Sequence, residues 1–338
     1  MRGPLLISHD LSYSGAPVAL LSLAQSLKRM GEHPTVVTLS GGPLGAHYRE
    51  AGIDLAQRVD PSEVTFVLAN TVVSVPAALP FKKLGVPVAA WLHESIYFFQ
   101  TVGVSPDDCG LRNLDVVLTP SKFQMEELQP FVAIDRMYQL RNAVKQEWFR
   151  PDAGESLVAV SGQWEKRKGQ SQLLNLARGA RWECRFKFIG ATRPGYAVAS
   201  IPPQHRFLGL LTPEKARLEI AKSDAIVSCA EAEVQPLSAI EAMIAGRPAL
   251  LSDIPAHRAL AEKIPNVFLF ESSSIQSFEQ GVQKLTEAIP NERTAAEQSR
   301  AAQRLFSEAV FEERLRHLVK MITRSLRPGE HIEVLQEG

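Results

Sequence analysis

One stretch limits the folds open to this chain more than any other: Ala225 to His257, AIVSCAEAEVQPLSAIEAMIAGRPALLSDIPAH. The apolar run AIVSC has the length and composition of a short buried strand. The polar turn AEAEVQP follows, and LSAIEAMIAG then reads as a helix. Pro236 and Ser238 fit its first turn, Gly246 its end, and Pro248 blocks continuation. ALLS is a second buried strand, closed by Asp253 and Pro255. Strand, loop, helix and strand make one βαβ unit, with the loop and the helix N-terminus at the carboxyl edge of a parallel sheet. The chain is therefore read as α/β.

Two glutamates stand in this unit, Glu233 in the loop and Glu241 in the helix, with seven residues between them. Two helical turns span about seven residues, so Glu241 lies near the face on which the helix begins. Between the two carboxylates the open N–H groups of Leu237 and Ser238 form an anion site, and a diphosphate is its natural guest. A carboxylate on each side of a phosphate cradle suits a ligand with hydroxyls at both ends, such as a nucleotide sugar. One glutamate would hold ribose and the other the sugar. By spacing alone, a helix-terminal charge beside an ordinary exposed glutamate accounts for the same pair and is the commoner arrangement.

A small-residue strand, a Glu, seven residues, then Glu-Ala-Met-x-x-Gly-x-Pro and a second strand resembles the donor-site motif of retaining GT-B glycosyltransferases of the family-4 type. The matching residues are Glu233, Glu241, Ala242, Met243, Gly246 and Pro248. The resemblance implies two Rossmann-like domains facing across a cleft, with a C-terminal helix crossing back to the first domain. It divides the chain into an acceptor-side domain (1–148), a donor domain (149–310), a crossover helix (311–326) and a tail (327–338). It implies a nucleotide-diphosphate sugar as co-substrate and a hydroxyl acceptor: a glycan, a lipid-linked sugar or a small molecule. Transfer with retention, in cell-surface glycan or glycolipid synthesis, is the expected reaction. Front-face departure and attack, with the β-phosphate taking the acceptor proton, is the implied route. The sequence departs from the pattern at Val234, Gln235 and Pro236, where the family has a glycine-containing run. Pro236 has no N–H, so the sugar end of the site has fewer backbone donors.

The whole chain agrees with a two-domain enzyme. Its 338 residues are enough for two cores, and 45% are hydrophobic. Lys+Arg and Asp+Glu both number 37, and neither half forms a basic footprint, which argues against nucleic acid as a partner. Three scattered cysteines make neither a disulfide framework nor a metal spacing, which points to a reducing cytosol. No metal and no further cofactor is expected. No apolar run approaches a membrane span, and the polar start MRGPLLISHD does not read as a signal peptide. The expected location is cytoplasmic, with peripheral contact at the inner membrane face left open.

In the first half, residues 5–8 read as a strand, HDLSYSGAP as a polar loop and 18–31 as a helix. In the family such a Gly-containing loop approaches the donor phosphates. Gly15 matches, flanked by Ser14, while Ala16 replaces the usual second glycine. Without that context the loop is an ordinary strand-to-helix turn. Strand 65–71 ends in Asn70 and Thr71. Strand 86–95 delivers His93 and Glu94 at its carboxyl end, where open α/β sheets bind ligands. A lone histidine is usually structural, but the family places one at this point, near the transferred sugar. The following IYFFQ reads as core before it reads as an acceptor or membrane contact. Ser121, with Gln124 three residues on, has the form of a helix cap. Residues 137–144 read as a closing strand, where Asn142, Ala143 and Val144 match two of three positions of the family's Asn-Gly-Val. The polar stretch 145–156 reads as a hinge.

In the second half, 157–177 reads as strand, basic loop and helix. The loop carries Lys166, Arg167 and Lys168 before Gly169. A charge run is usually just solvated, but this one lies at a strand's carboxyl end ahead of a helix. The family has an Arg after a Gly, then a Lys-Gly pair. Gly162 and the Lys168–Gly169 pair match, while Gln163 replaces the Arg. Arg167 is the substitute cation, and Lys168 is expected to grip the donor diphosphate from an exposed loop. The catalytic set is thus His93, Glu233 and Lys168. Two rival readings are a nucleotide-sugar epimerase of the same fold, which lacks this Glu pair, and a catalytically degenerate scaffold, for which the VQP run and Gln163 speak.

Overall fold

The computed structural model describes residues 2–145, 157–193, 201–289 and 292–324. All of the expected hinge but Lys145 and the whole expected tail lie outside them, as does Pro290, near which residues 275–306 read in sequence as two helices with a break. The chain packs as two units: Met1–Asn142 together with the segment from Glu308 onward, and Ala143–Ser307.

In the first unit the elements run β1 (Gly3–Ser8), α1 (Gly15–Arg29), β2 (Thr35–Thr38), α2 (Leu44–Glu50), β3 (Asp54–Leu55), β4 (Val64–Asn70), α3 (Val75–Lys82), β5 (Val88–Trp91), α4 (Ile96–Val102), β6 (Val116–Thr119), α5 (Lys122–Leu128) and β7 (Met137–Gln139). The strands form one parallel sheet in the order β3-β2-β1-β4-β5-β6-β7. Its central strands are continuous apolar runs because helices cover both faces; β5 and β6 are buried at every position.

The second unit runs β8 (Leu157–Ser161), α6 (Gln170–Gly179), β9 (Arg185–Ile189), β10 (Arg206–Gly209), α7 (Pro213–Ala221), β11 (Ala225–Ser228), α8 (Leu237–Ile244), β12 (Ala249–Ser252), α9 (Pro255–Ala261), β13 (Val267–Phe270), α10 (Ile275–Ala288) and α11 (Glu292–Phe306). Its parallel sheet has the order β10-β9-β8-β11-β12-β13. The last helix, α12 (Glu308–Arg324), belongs to the first unit. Its stripe Phe311, Leu315, Leu318, Val319 and Ile322 is buried, Phe311 stacks 5.9 Å from Trp91, and Arg29 Nε donates to Glu312 Oε1 at 2.6 Å.

Strand order reverses once in each sheet, between β1 and β4 and between β8 and β11. At such a point the two following loops diverge to opposite faces and leave a crevice at the strands' carboxyl ends. Those two crevices gather the residues that the sequence singles out.

Four local expectations change. Helix α1 starts at Gly15, not Val18, because Pro17 is accommodated in a first turn whose N–H groups need no partner. Gly15 is therefore a helical residue, not a loop residue. Strand β7 ends at Gln139, since its neighbour β6 stops at Thr119 and nothing remains to pair with. Ser121 does not cap α5 through its side chain; Gln124 instead turns inward and donates to the carbonyls of Leu92 (3.1 Å) and Glu94 (2.7 Å). Pro255 opens a helix, α9, rather than only closing a strand. The IYFFQ segment forms most of α4, and Ile96, Phe98 and Phe99 pack into the core as read.

Candidate active site

In the second unit, the loops after β8 and β11 meet backbone to backbone. Gly169, at φ +66°, stands so close to Cys229 that an added Cβ would lie 2.1 Å from its carbonyl oxygen, so no other residue fits. The approach brings the basic loop under the glutamate loop. Glu231 N donates to Arg167 O (2.8 Å), and Arg167 Nη1 donates to Ala232 O (2.8 Å). Lys168 Nζ donates to Glu233 Oε1 in a short ion pair, and Arg167 Nη1 lies 3.5 Å from Glu233 Oε2. Gly162 makes room for this: at φ +140° its added Cβ would stand 3.2 Å from Lys168 Cε.

The expectation of an exposed, solvated Lys168 is thereby corrected. Its side chain is 20% exposed and that of Glu233 11%. Burial raises the Glu233 carboxyl, but Lys168 and then Arg167 outweigh it and hold the pKa below the usual carboxylate range. Arg167 is committed more widely than Lys168. Its Nη2 donates to Glu165 Oε1 (2.8 Å), and Glu165 also pairs with Arg193 at 3.2 Å. Glu165, 10% exposed, organises this end of the loop and was not singled out by the sequence. Gln163 is exposed, and its carbonyl accepts from Gln170 Nε2 at 2.9 Å.

Helix α8 begins four residues after Glu233, without a side-chain cap. Its first intrahelical bond runs from Ile240 N to Pro236 O (3.1 Å), which leaves the N–H groups of Leu237 and Ser238 without an acceptor on their own helix. Both residues are half-buried. Glu241 is one turn on from Leu237 and therefore on the same face, also half-buried. At one switch point the fold thus collects a lysine, two carboxylates and an open helix N-terminus.

In the first unit, His93 follows β5, Asn70 ends β4 and His9 follows β1. Asn70 Nδ2 donates to Ala16 O (2.9 Å), so its Oδ1 is free to accept from His93 Nε2 (3.0 Å). That bond places the proton on Nε2 and the lone pair on Nδ1. Burial, with His9 nearby, pushes the His93 pKa down to about 3, so the ring is neutral. His9 Nδ1 lies 3.2 Å from Thr71 Oγ1, and Nε2 lies 3.6 Å from Asp10. Thr71 sits at φ +89°, a backbone region costly to a β-branched residue. The strand-end signal that picked out His93 applies equally to His9. Ser14 is exposed, its Oγ 2.9 Å from that of Ser12, and Gly15 is the first residue of α1. Asn142 is buried at 3% exposure.

Glu94 Oε2 accepts from Val72 N (3.2 Å) and His93 N (3.1 Å). Burial nevertheless raises its pKa to about 7, against the lowering effect of those bonds. A carboxyl raised in the fold loses stability as pH climbs from its unfolded pKa, near 4.5, to its folded one. His93, depressed in the fold, acts in the opposite sense and gains stability from about pH 3 to 6.5. The two overlap, so the test is a difference: Glu94→Gln should gain thermal stability over wild type progressively from pH 4.5 to 7 and hold the gain above it. Parallel melting curves across that range would remove Glu94 as a half-buried, neutral-leaning acid.

Among the described residues no group of three or more His, Cys, Asp or Glu could hold a metal ion, and no helix is long and apolar enough to cross a membrane.

Residues 144–304 match the family described as Glycosyl transferases group 1, and residues 2–101 match Glycosyl-transferase family 4. Comparison with curated protein sequences gives no match. Among solved structures, Anabaena HepE in complex with UDP and glucose superposes with a TM-score of 0.80 at 14% identity, covering 95% of this chain and 100% of HepE. Sucrose-phosphate synthase from Thermosynechococcus elongatus gives 0.77 at 14% identity, with 96% and 100% covered. The apo form of the lipopolysaccharide outer core galactosyltransferase WaaB gives 0.68 at 14%, with 95% and 99% covered. At such identities the likeness is one of fold, and that fold is GT-B, with two Rossmann-like units. Taken with the two family matches, which span most of both units, it means that this chain belongs to the group-1, family-4 glycosyltransferases.

Proposed function

We propose that this glycosyltransferase moves a sugar from a nucleoside-diphosphate sugar to a hydroxyl acceptor with retention, in the making of a cell-surface glycan or glycolipid. The observation that carries the reading is the Lys168–Glu233 pair beside the uncapped start of α8, at the β8/β11 switch point. The diphosphate takes Lys168 and the N–H groups of Leu237 and Ser238. Arg167 adds charge from behind. Glu241 accepts from the ribose, and Glu233, released from Lys168, accepts from the sugar. As the leaving diphosphate gains charge, Lys168 and the helix N-terminus stabilise it in place, without solvent reorganisation. In this reading the residues themselves neutralise the diphosphate and no metal is required. On the first unit, neutral His93 keeps Nδ1 as an acceptor for a ligand hydroxyl. Uridine is the first base to try, because HepE is held with UDP.

Two experiments test this. Calorimetry with UDP, GDP, ADP, CDP and dTDP should find one that binds at micromolar level; binding by none would overturn the donor-site reading. With donor and acceptor in hand, NMR of the new glycosidic bond should show the donor's anomeric configuration, and an inverted product would refute retention. Glu241→Ala should weaken the nucleoside diphosphate by about 1.5–3 kcal/mol, the worth of a hydrogen bond to a charged group. Unchanged affinity would take Glu241 off the ribose.

A further inference from the structure

His257 lies in the first turn of α9, just after β12, and is wholly buried, yet no sequence signal marks it. Its Nδ1 lies 2.7 Å from the carbonyl oxygen of Ser252, so that nitrogen carries the proton and donates. The same serine's Oγ donates to Ala230 O at 2.6 Å, which ties β12 to the loop that carries Glu233. The tautomer leaves Nε2 as a bare lone pair. It is buried, and no hydrogen-bond partner reaches it. An unpaired buried acceptor is costly, so one at a site is a group waiting for a donor.

The charged groups with electrostatic influence on His257 include Glu233 and Lys168, the pair described above, together with Asp253. Asp253 is bonded to Arg258 Nε at 2.5 Å on the exposed side. Burial pushes the imidazole pKa down to about 4, so the ring stays a neutral acceptor. Of the charged groups that act on the imidazole, only Lys168 has N–H donors to give. Its ammonium has three, and one is spent on Glu233.

We propose that His257 is a positioning residue of the donor site, whose bare Nε2 accepts an N–H from Lys168 once the diphosphate draws that lysine away from Glu233. The imidazole then steadies the ammonium against the phosphate while leaving its charge intact, which a carboxylate would not do. Ser252 sets the tautomer that makes this work. The inference rests on the donor-site reading and adds a residue to it.

Two near-isosteres separate the two ring nitrogens. His257→Asn keeps a donor near Nδ1 and removes Nε2; His257→Gln keeps an acceptor near Nε2 and gives up the bond to Ser252. Calorimetry with the nucleoside diphosphate selected above should show His257→Asn weakened roughly tenfold or more and His257→Gln near wild type, although His257→Gln should melt lower. In wild type, the ¹⁵N signal of His257 Nε2 should lie in the range of a bare lone pair and move toward a hydrogen-bonded value on adding the nucleotide. Equal affinities for the two variants, affinity that merely follows melting temperature, or an Nε2 signal that ignores the nucleotide would overturn the proposal and leave the donor site standing. A wild type that binds no nucleoside diphosphate overturns both.

Discussion

Replacing Lys168 by alanine is expected to cut turnover by on the order of 100-fold or more, the usual loss when a positioned transition-state cation is removed. It should also destabilise the protein. Glu233 is 11% exposed and would keep only Arg167, at 3.5 Å, as a charge partner. Stranding a carboxylate that is largely but not wholly buried costs about 1–3 kcal/mol, less than for a fully enclosed pair. Denaturant titration measures this. The remedy identifies the cause: in a Glu233→Gln background, Lys168→Ala should cost little stability, because no charge is left stranded, while turnover stays low. If Lys168→Ala loses neither stability nor rate, the pair is surface decoration and Arg167 becomes the candidate cation.

Glu233→Gln is expected to abolish most transfer, again by about 100-fold or more, since the group assigned to the sugar loses its charge in a water-poor site. Affinity for the bare nucleoside diphosphate should not fall with it. In the resting protein Glu233 holds Lys168, so a neutral side chain frees the lysine for phosphate, and binding should hold or tighten. This split between lost turnover and kept nucleotide affinity distinguishes a sugar contact from a phosphate or ribose contact. Calorimetry and initial rates on the same preparation decide it. A parallel loss of both would mean that Glu233 serves mainly to keep the loop in shape.

The sequence made the βαβ unit from Ala225 legible because strand, cap residues, Gly246 and Pro248 all point one way. The parallel sheets followed from apolar runs such as VVLT and ALLS, buried at every position. Glu233 and Lys168 were legible as site candidates because each lies in a loop that follows a strand's carboxyl end, and Glu241 because its spacing from Glu233 puts it on the helix face nearest that loop. Their mutual arrangement was not. Nothing in the basic run KRK says that its last lysine folds under a glutamate 65 residues on; that contact depends on Gly162 and Gly169 admitting the loop to Cys229. Glu165 and His257 were invisible for a related reason. A lone acid or histidine has no period and no partner in sequence, and its meaning comes from the strand that packs beside it. His9 was the avoidable omission, since it follows β1 as His93 follows β5.

The central claim is that the loops after β8 and β11 and the start of α8 form the donor diphosphate site. The most direct measurement is a crystal structure with the nucleoside-diphosphate sugar bound. It should show the diphosphate over the N–H groups of Leu237 and Ser238, Lys168 Nζ within about 3.2 Å of a phosphate oxygen and parted from Glu233, and Glu241 on the ribose. A diphosphate bound elsewhere, or one bound while Lys168 stays paired with Glu233, would contradict it.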